Sequence, residues 1–300
     1  ISIKVDREER PDIDKLYMQY AQLMSGRGGW PLNIVMTPDK KPFFAATYIP
    51  RENRGNMRGM LELIPLLKDF WENKRGEVLE TSLEATRVIK REPVKDKTFK
   101  PDKRLIHQTF KTLENNFDGY YGGFGRQPKF PTPHNLQFLL RYWKNTSNDK
   151  ALEMVETTLE RMKMGGIYDQ IGYGFHRYST DRKWKLPHFE KMLYVQAMLL
   201  ETYSEAYAVT GKEIYRKTCE GIIEYLKRDM KSEEGVFYSA EDADSEDEEG
   251  KYYTWDETEI NEILNKEERN LFKDIFNIEN EGNFTEESTG RKIGRNIPHM

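Results

Sequence analysis

The 300 residues suffice for two ordinary domains with separate cores, and aromatic residues at 12% support packed structure. A net charge of -4, with Lys and Arg dispersed, argues against nucleic-acid binding, and no apolar run approaches the length of a membrane span. The single cysteine, Cys219, excludes an internal disulfide framework and, with no charged-then-apolar leader at the start, predicts a reducing cytoplasmic location.

Residues 1–5 alternate apolar and polar, with Ile1, Ile3 and Val5 on one face, which predicts a half-buried strand. A chain that opens on a strand without Met reads as a fragment with an upstream portion missing. A helix is predicted over residues 12–24. Gly26 to Pro31 then leads into an apolar run at 32–36, a Pro-Asp turn and a second strand at 42–48, the pattern of a hairpin. Helices are predicted over 57–71, with Pro65 kinking it or marking its true start, and over 77–90. Residues 91–102 are polar with two prolines and read as a linker.

From residue 103 to 300 helical stripes dominate, among them Leu136, Leu139, Leu140 and Trp143, and a long one from Phe189 to Tyr207. Short links alternate with long connections at 118–133, 165–187 and 232–255. Antiparallel helices would bring all the long connections to one end, as a toroid of helical hairpins does. In the third, aromatic runs flanking an acidic turn predict a projecting β-hairpin.

The long connections hold the candidate site residues, each with a plainer structural reading. In the first, Tyr120, Tyr121, Phe124 and Phe130 are able to stack on sugar faces or to pack beneath the loop. In the second, His176, Arg177, Trp184 and Asp169 share one connection, and Asp169 and Arg177 would pair with one another. His188 and Glu190 fall at the predicted start of a long helix behind Pro187. There Glu190 is either a first-turn charge favoured by the helix dipole or an acid-base group, and His188 either structural or catalytic. In the third, Glu241, Asp242 and Asp244 lie at the apolar edge, whereas residues 246–249 read as solvated. No His or Asp spacing has a metal-site pattern, no cofactor is expected, and Cys219 reads as core.

The stretches FDGYYGGFGRQPKFP, GGIYDQIGYGFHRYSTDRKWKLPHFEKMLY and GVFYSAEDADSEDEEGKYYTW resemble signatures of the thioredoxin-fused family related to spermatogenesis-associated proteins. GRGGWPLNIVMTPDKKPFF is similar to that family's thioredoxin-like part, in which Trp30-Pro31 matches a cis-proline position. The resemblance implies an α/β thioredoxin-like domain over 1–90, incomplete at its N-terminus, and an all-α (α/α)6 toroid about half present over 103–300. The family's Cys- and His-rich motif would lie upstream of Ile1, and half a toroid would leave an apolar seam and poor solubility.

The toroid is similar to those of N-acylglucosamine 2-epimerases and six-hairpin glycosidases, which implies a carbohydrate-active enzyme with a rim pocket. By the epimerase likeness, His176 or His188 moves a proton beside a carbonyl, with Arg177 or Trp184 holding the sugar. By the glycosidase likeness, a pair from Asp169, Glu190, Glu241 and Asp242 serves as acid and base. Tyr121, Phe124, Tyr168 and Asp244 complete the candidate substrate contacts. The alternatives are a thiol redox or chaperone-like protein and a non-catalytic module that grips a glycan or peptide. Neither a nucleic acid nor a membrane is an expected partner, and no protein partner is specified.

Overall fold

The structure is a computed structural model and describes residues 1–7, 9–55, 57–90, 102–285 and 290–300. It divides into two compact units, Ile1–Lys100 and Pro101–Met300. The predicted linker at 91–102 falls outside the described residues except for Asp102, whose carboxylate accepts from the Arg104 amide and caps the first helix of the second unit.

In the first unit α1 is Pro11–Ser25, with Pro11 at its first turn, Asp12 and Asp14 opposing the helix dipole, and left-handed Gly26 ending it. Strands β1 (Asn33–Met36) and β2 (Pro42–Ala46) form the antiparallel hairpin, pairing Val35 with Phe44. Helices α2 (Met60–Asn73) and α3 (Arg75–Lys90) follow. Pro65 lies inside α2, so it does not mark the start of that helix. The predicted strand at residues 1–5 does not form, and Ile1, Ile3 and Val5 are exposed. Alternation makes a strand only where a neighbour takes its backbone bonds, and none of the described strands pairs there.

The second unit is helical. Its long helices are α4 (Lys103–Asn116), α5 (Pro133–Thr146), α6 (Asp149–Met164), α7 (Leu193–Thr210) and α8 (Glu213–Tyr225), the last running into a π-helical turn at Leu226–Met230. Two shorter helices, α9 (Glu257–Ile263) and α10 (Lys266–Phe276), each begin with a capping box, Asp256 with Glu259 and Asn265 with Glu268. Apolar stripes of α5, α6, α7 and α8 close on one core that includes Leu136, Leu139, Met154, Leu159, Leu199 and Tyr203. Long connections follow α4, α6 and α8, while short ones follow α5 and α7.

Short strand pairs tie the long connections together: β3 (Tyr178–Ser179) with β4 (Pro187–His188), and β5 (Lys191–Met192) with β6 (Ala240–Glu241). Strands β7 (Asp244–Ser245) and β8 (Glu248–Glu249) make a tight hairpin. The aromatic runs flanking the acidic turn are therefore not its strands; residues Lys251–Tyr253 form a 3-10 turn instead. No helix among the described residues is long and apolar enough to cross a membrane.

Candidate active site

The three long connections meet. Lys129 of the first exchanges both backbone hydrogen bonds with Ser179 of the second at 2.8 Å. Beneath this bridge the Lys129 ammonium, fully buried, donates to Asp118 at 2.8 Å and to the Gly122 carbonyl at 2.6 Å. The Arg182 guanidinium grips both oxygens of Asp118 at 2.6 and 2.9 Å. Burial works to raise the Asp118 carboxyl, but the Arg182 and Lys129 bonds outweigh it and hold it well below the usual carboxylate range.

Residues 187–192 are extended rather than helical, so His188 and Glu190 do not sit in a first turn and the helix dipole does not account for Glu190. The segment spends its backbone bonds on β3 and β6, and the helical period read from Phe189 onward starts in fact at Leu193. Extended backbone alternates its side chains. His188 and Glu190 take one side, with Tyr178, Arg177 and Glu249, while Phe189 takes the other, against His176 and Tyr253.

On the first side Phe130, Tyr178 and His188 form a ladder, with ring centroids 4.7 and 5.1 Å apart and planes within 27°. Each ring comes from a different stretch of the chain, and Phe130 is 44% exposed, which leaves ring surface open. The His188 Nδ1 lies 2.7 Å from Glu249 Oε1. A carboxylate only accepts, so Nδ1 carries a proton, and in the neutral ring Nε2 holds the lone pair. Glu190 Oε2 is 3.9 Å from Nε2, too far to occupy it, and is held by Arg177 Nη1 at 2.8 Å. Arg177 therefore pairs with Glu190 and not with Asp169, and Glu249, read as solvated, orients an imidazole.

On the other side a buried polar cluster forms around Lys191. Its ammonium donates to Asp169 and to the Tyr173 carbonyl, both at 2.8 Å, and lies over the rings of Tyr225 and Tyr253 at 4.4 and 4.7 Å. Asp169 also accepts from the Ile171 and Gly172 amides; burial would raise its carboxyl, yet Lys191 above all, with the Gly172 amide, holds it down. Glu241 accepts from the Tyr225 and Tyr253 hydroxyls at 2.7 and 3.2 Å.

His176, 2% exposed, donates Nδ1–H to the Phe189 carbonyl at 2.9 Å. Burial, aided by the charge on Lys191, pushes its pKa down to about 3, so the ring is neutral at ordinary pH. It lines a cavity of about 420 Å3 with Tyr252, Tyr253, Trp255 and Arg295. The neutral ring is the form the fold favours, so its contribution to stability is complete above the ordinary value of 6.5 and is lost as pH falls from there toward 3. The melting temperature is expected to drop between pH 7 and pH 5, and His176→Gln to flatten that drop.

Of the remaining candidates, Trp184 is fully buried and donates Nε1–H to the Tyr121 carbonyl at 2.8 Å; it is a packing residue with no surface for a sugar. Gly123, at φ 75°, makes room for it, since a Cβ there would lie 2.5 Å from the indole. Tyr168, 1% exposed, and Phe124 pack on the core. The Tyr121 ring has the Lys129 and Arg182 cations 5.9 and 5.4 Å from its centroid. Asp242 and Asp244 are exposed, the first capping the second's amide. In the first unit the Trp30–Pro31 peptide is cis, as is Gln127–Pro128 in the second, which the sequence did not suggest. Trp30 donates Nε1–H to Asp14 at 2.9 Å.

Sequence reasoning missed Lys191, Tyr178, Tyr225, Tyr253, Glu249 and the Asp118–Lys129–Arg182 network. The available signal was a lysine placed between Phe189 and Met192 in an apolar stretch, where only a paired charge is tolerated. No group of three or more His, Cys, Asp or Glu among the described residues is arranged to hold a metal.

Residues 1–90 match the family Thioredox_DsbH, described as "Protein of unknown function, DUF255", so the first unit is thioredoxin-like. Human spermatogenesis-associated protein 20 is 41% identical over 278 residues, a match that covers 88% of this chain and 35% of that protein. The chain belongs to the family related to spermatogenesis-associated proteins. An uncharacterized family relative from Caenorhabditis elegans is 36% identical, covering 96% of this chain and 42% of its own length. The chain thus spans about a third to two fifths of the curated relatives it matches, 35% and 42%. Among solved structures, a sugar epimerase from a ruminal bacterium has a TM-score of 0.41 at 18% identity, covering 46% of this chain and 40% of that one. A D-mannose isomerase has a TM-score of 0.39 at 17% identity, covering 55% and 44%. Both likenesses are partial and low.

Proposed function

We propose that the helical unit is part of an (α/α)6 toroid whose ladder face acts on a carbohydrate, with His188 as the base that moves a proton beside the sugar carbonyl. The observation that carries this reading is His188 itself: its Nδ1–H is fixed on Glu249, its Nε2 lone pair is untied, and its ring ends a stack of Tyr178 and Phe130. Aromatic faces suit the apolar C–H face of a sugar, and an imidazole oriented through one nitrogen presents the other to a substrate proton. The alternation of long and short connections supports the toroid, because it gathers the long ones at one end.

In this reaction an open-chain aldose lies against Phe130. Nε2 of His188 takes the proton from C2, the C2–H electron pair becomes the C1–C2 double bond of an enediolate, and Glu249 offsets the charge on the imidazolium. As the C1 carbonyl pair moves onto O1, return of the proton to C2 gives an aldose back, whereas its return to C1, with the O2 hydroxyl proton passing to O1 as the C2 carbonyl forms, yields the ketose. Arg177, held by Glu190, supplies positive charge beside the developing oxyanion. A glycosidase pair finds less support. Asp169 is tied to Lys191 and two amides, and Glu241 to two tyrosine hydroxyls.

Incubation with D-glucose, D-mannose or N-acetyl-D-glucosamine in deuterated water, followed by proton NMR, tests the reading. Loss of the C2 proton signal from at least one sugar is expected. Saturable binding without exchange would replace the enzyme by a glycan-binding module, and neither binding nor exchange would end both. A thiol redox role has no support from Cys219, whose thiol burial pushes up, away from the reactive thiolate.

A further inference from the structure

We infer that the cavity beside His176 is a second ligand site, separate from the ladder face, for a small uncharged hydroxylated molecule of about monosaccharide size. At about 420 Å3 it falls within the range of small-molecule pockets. The extended segment 187–190 divides it from the ladder: Phe189 faces the cavity, His188 and Glu190 face away. The inference therefore does not rest on the reaction proposed for the ladder.

Charge decides the ligand class. Every charged side chain on the cavity wall already has a partner: Asp169 with Lys191 at 2.8 Å, Glu246 with Lys251 at 2.5 Å, and Glu259 with Arg295 at 2.8 Å. A charged ligand would have to break one of these pairs, while a neutral one leaves them intact. What the wall lacks is a donor for His176. Nδ1 is satisfied by the Phe189 carbonyl; Nε2 has no hydrogen bond among the described residues, and the little surface that the ring keeps, 2% of it, belongs to a residue that lines the cavity. An untied acceptor on a nearly buried ring at a cavity wall is completed by a hydroxyl. Tyr252, 76% exposed and set edge-on to Tyr253, gives the ligand an aromatic face at the cavity mouth.

The test follows the Nε2 resonance of His176 in the 15N-histidine-labelled chain during titration with D-glucose, D-mannose and myo-inositol, with D-gluconate and D-glucosamine as charged controls. A saturable displacement by at least one neutral probe is expected, with charged controls binding at least about tenfold more weakly. Tyr252→Ala, on an exposed side chain that the fold does not need, is expected to weaken binding about tenfold. His188→Ala is expected to leave the displacement unchanged, which separates this site from the ladder. No displacement by any probe, equal binding of the charged controls, or unchanged affinity in Tyr252→Ala would each overturn the inference, and loss of the displacement in His188→Ala would merge the two sites into one.

Discussion

Replacement of His188 by Ala is expected to lower C2 proton exchange by about 10²- to 10⁴-fold, the usual contribution of a positioned acid-base group. The residue is 29% exposed at its side chain and belongs to a two-residue strand whose backbone bonds to β3 are independent of the ring, so the variant should keep its fold. Glu249→Gln preserves an acceptor for Nδ1–H but removes the charge that offsets the imidazolium, and a smaller loss confined to kcat is expected. Phe130→Ala should act on the other parameter, raising KM with little change in kcat, because the ring contacts the sugar alike before and during proton transfer. Full exchange in His188→Ala, with circular dichroism showing an intact fold, would remove His188 as the base.

Asp118→Ala is expected to destabilise the helical unit by about 3–5 kcal/mol, read from denaturant unfolding, because it strands a fully buried ammonium. Among the described residues Lys129 bonds no second carboxylate, only the Gly122 carbonyl, with the faces of Tyr121 and Trp184 beside it. Arg182→Ala should cost much less, since half of that side chain is already in water. The double variant Asp118→Leu with Lys129→Met should regain much of the loss, as apolar pairs of similar size often match buried ion pairs. The Asp118 carboxyl is held below its ordinary value, so its contribution is complete above the unfolded value of about 3.9 and vanishes as pH falls below it. Acid unfolding of the parent chain should therefore show a limb below about pH 4 that Asp118→Asn lacks. A similar limb in the variant would assign the acid lability elsewhere.

These two results probe different levels of one arrangement. The Asp118 network locks the first long connection to the second, and the Lys129–Ser179 bridge it supports sets Phe130 beside Tyr178. Loss of the lock should therefore blunt sugar binding at Phe130 even where the variant remains folded.

The sequence by itself determined the local elements. The helical periods, the glycine stops at Gly26 and Gly211, the hairpin of β1 and β2, and the alternation of long and short connections all follow from local burial and turn chemistry, which are written within a few residues. It also carried the family, through long loop motifs. Periodicity reports only that one face of a segment is buried; it does not say what satisfies the backbone. Residues 187–192 fit a helical stripe and are nonetheless extended, because β3 and β6, nearly 10 and 50 residues away in the chain, take their hydrogen bonds. Residues 1–5 alternate like a strand and form none, for want of such a neighbour among the described residues. The site was legible as a set of loops and not as a set of pairs. Which carboxylate meets which cation depends on distances across the fold: Asp169 chose Lys191, Arg177 chose Glu190, and His188 chose Glu249, 61 residues on. The epimerase likeness implies Trp184 as a sugar contact, and only the packing of Gly123 and Gly165 around it makes it a core residue.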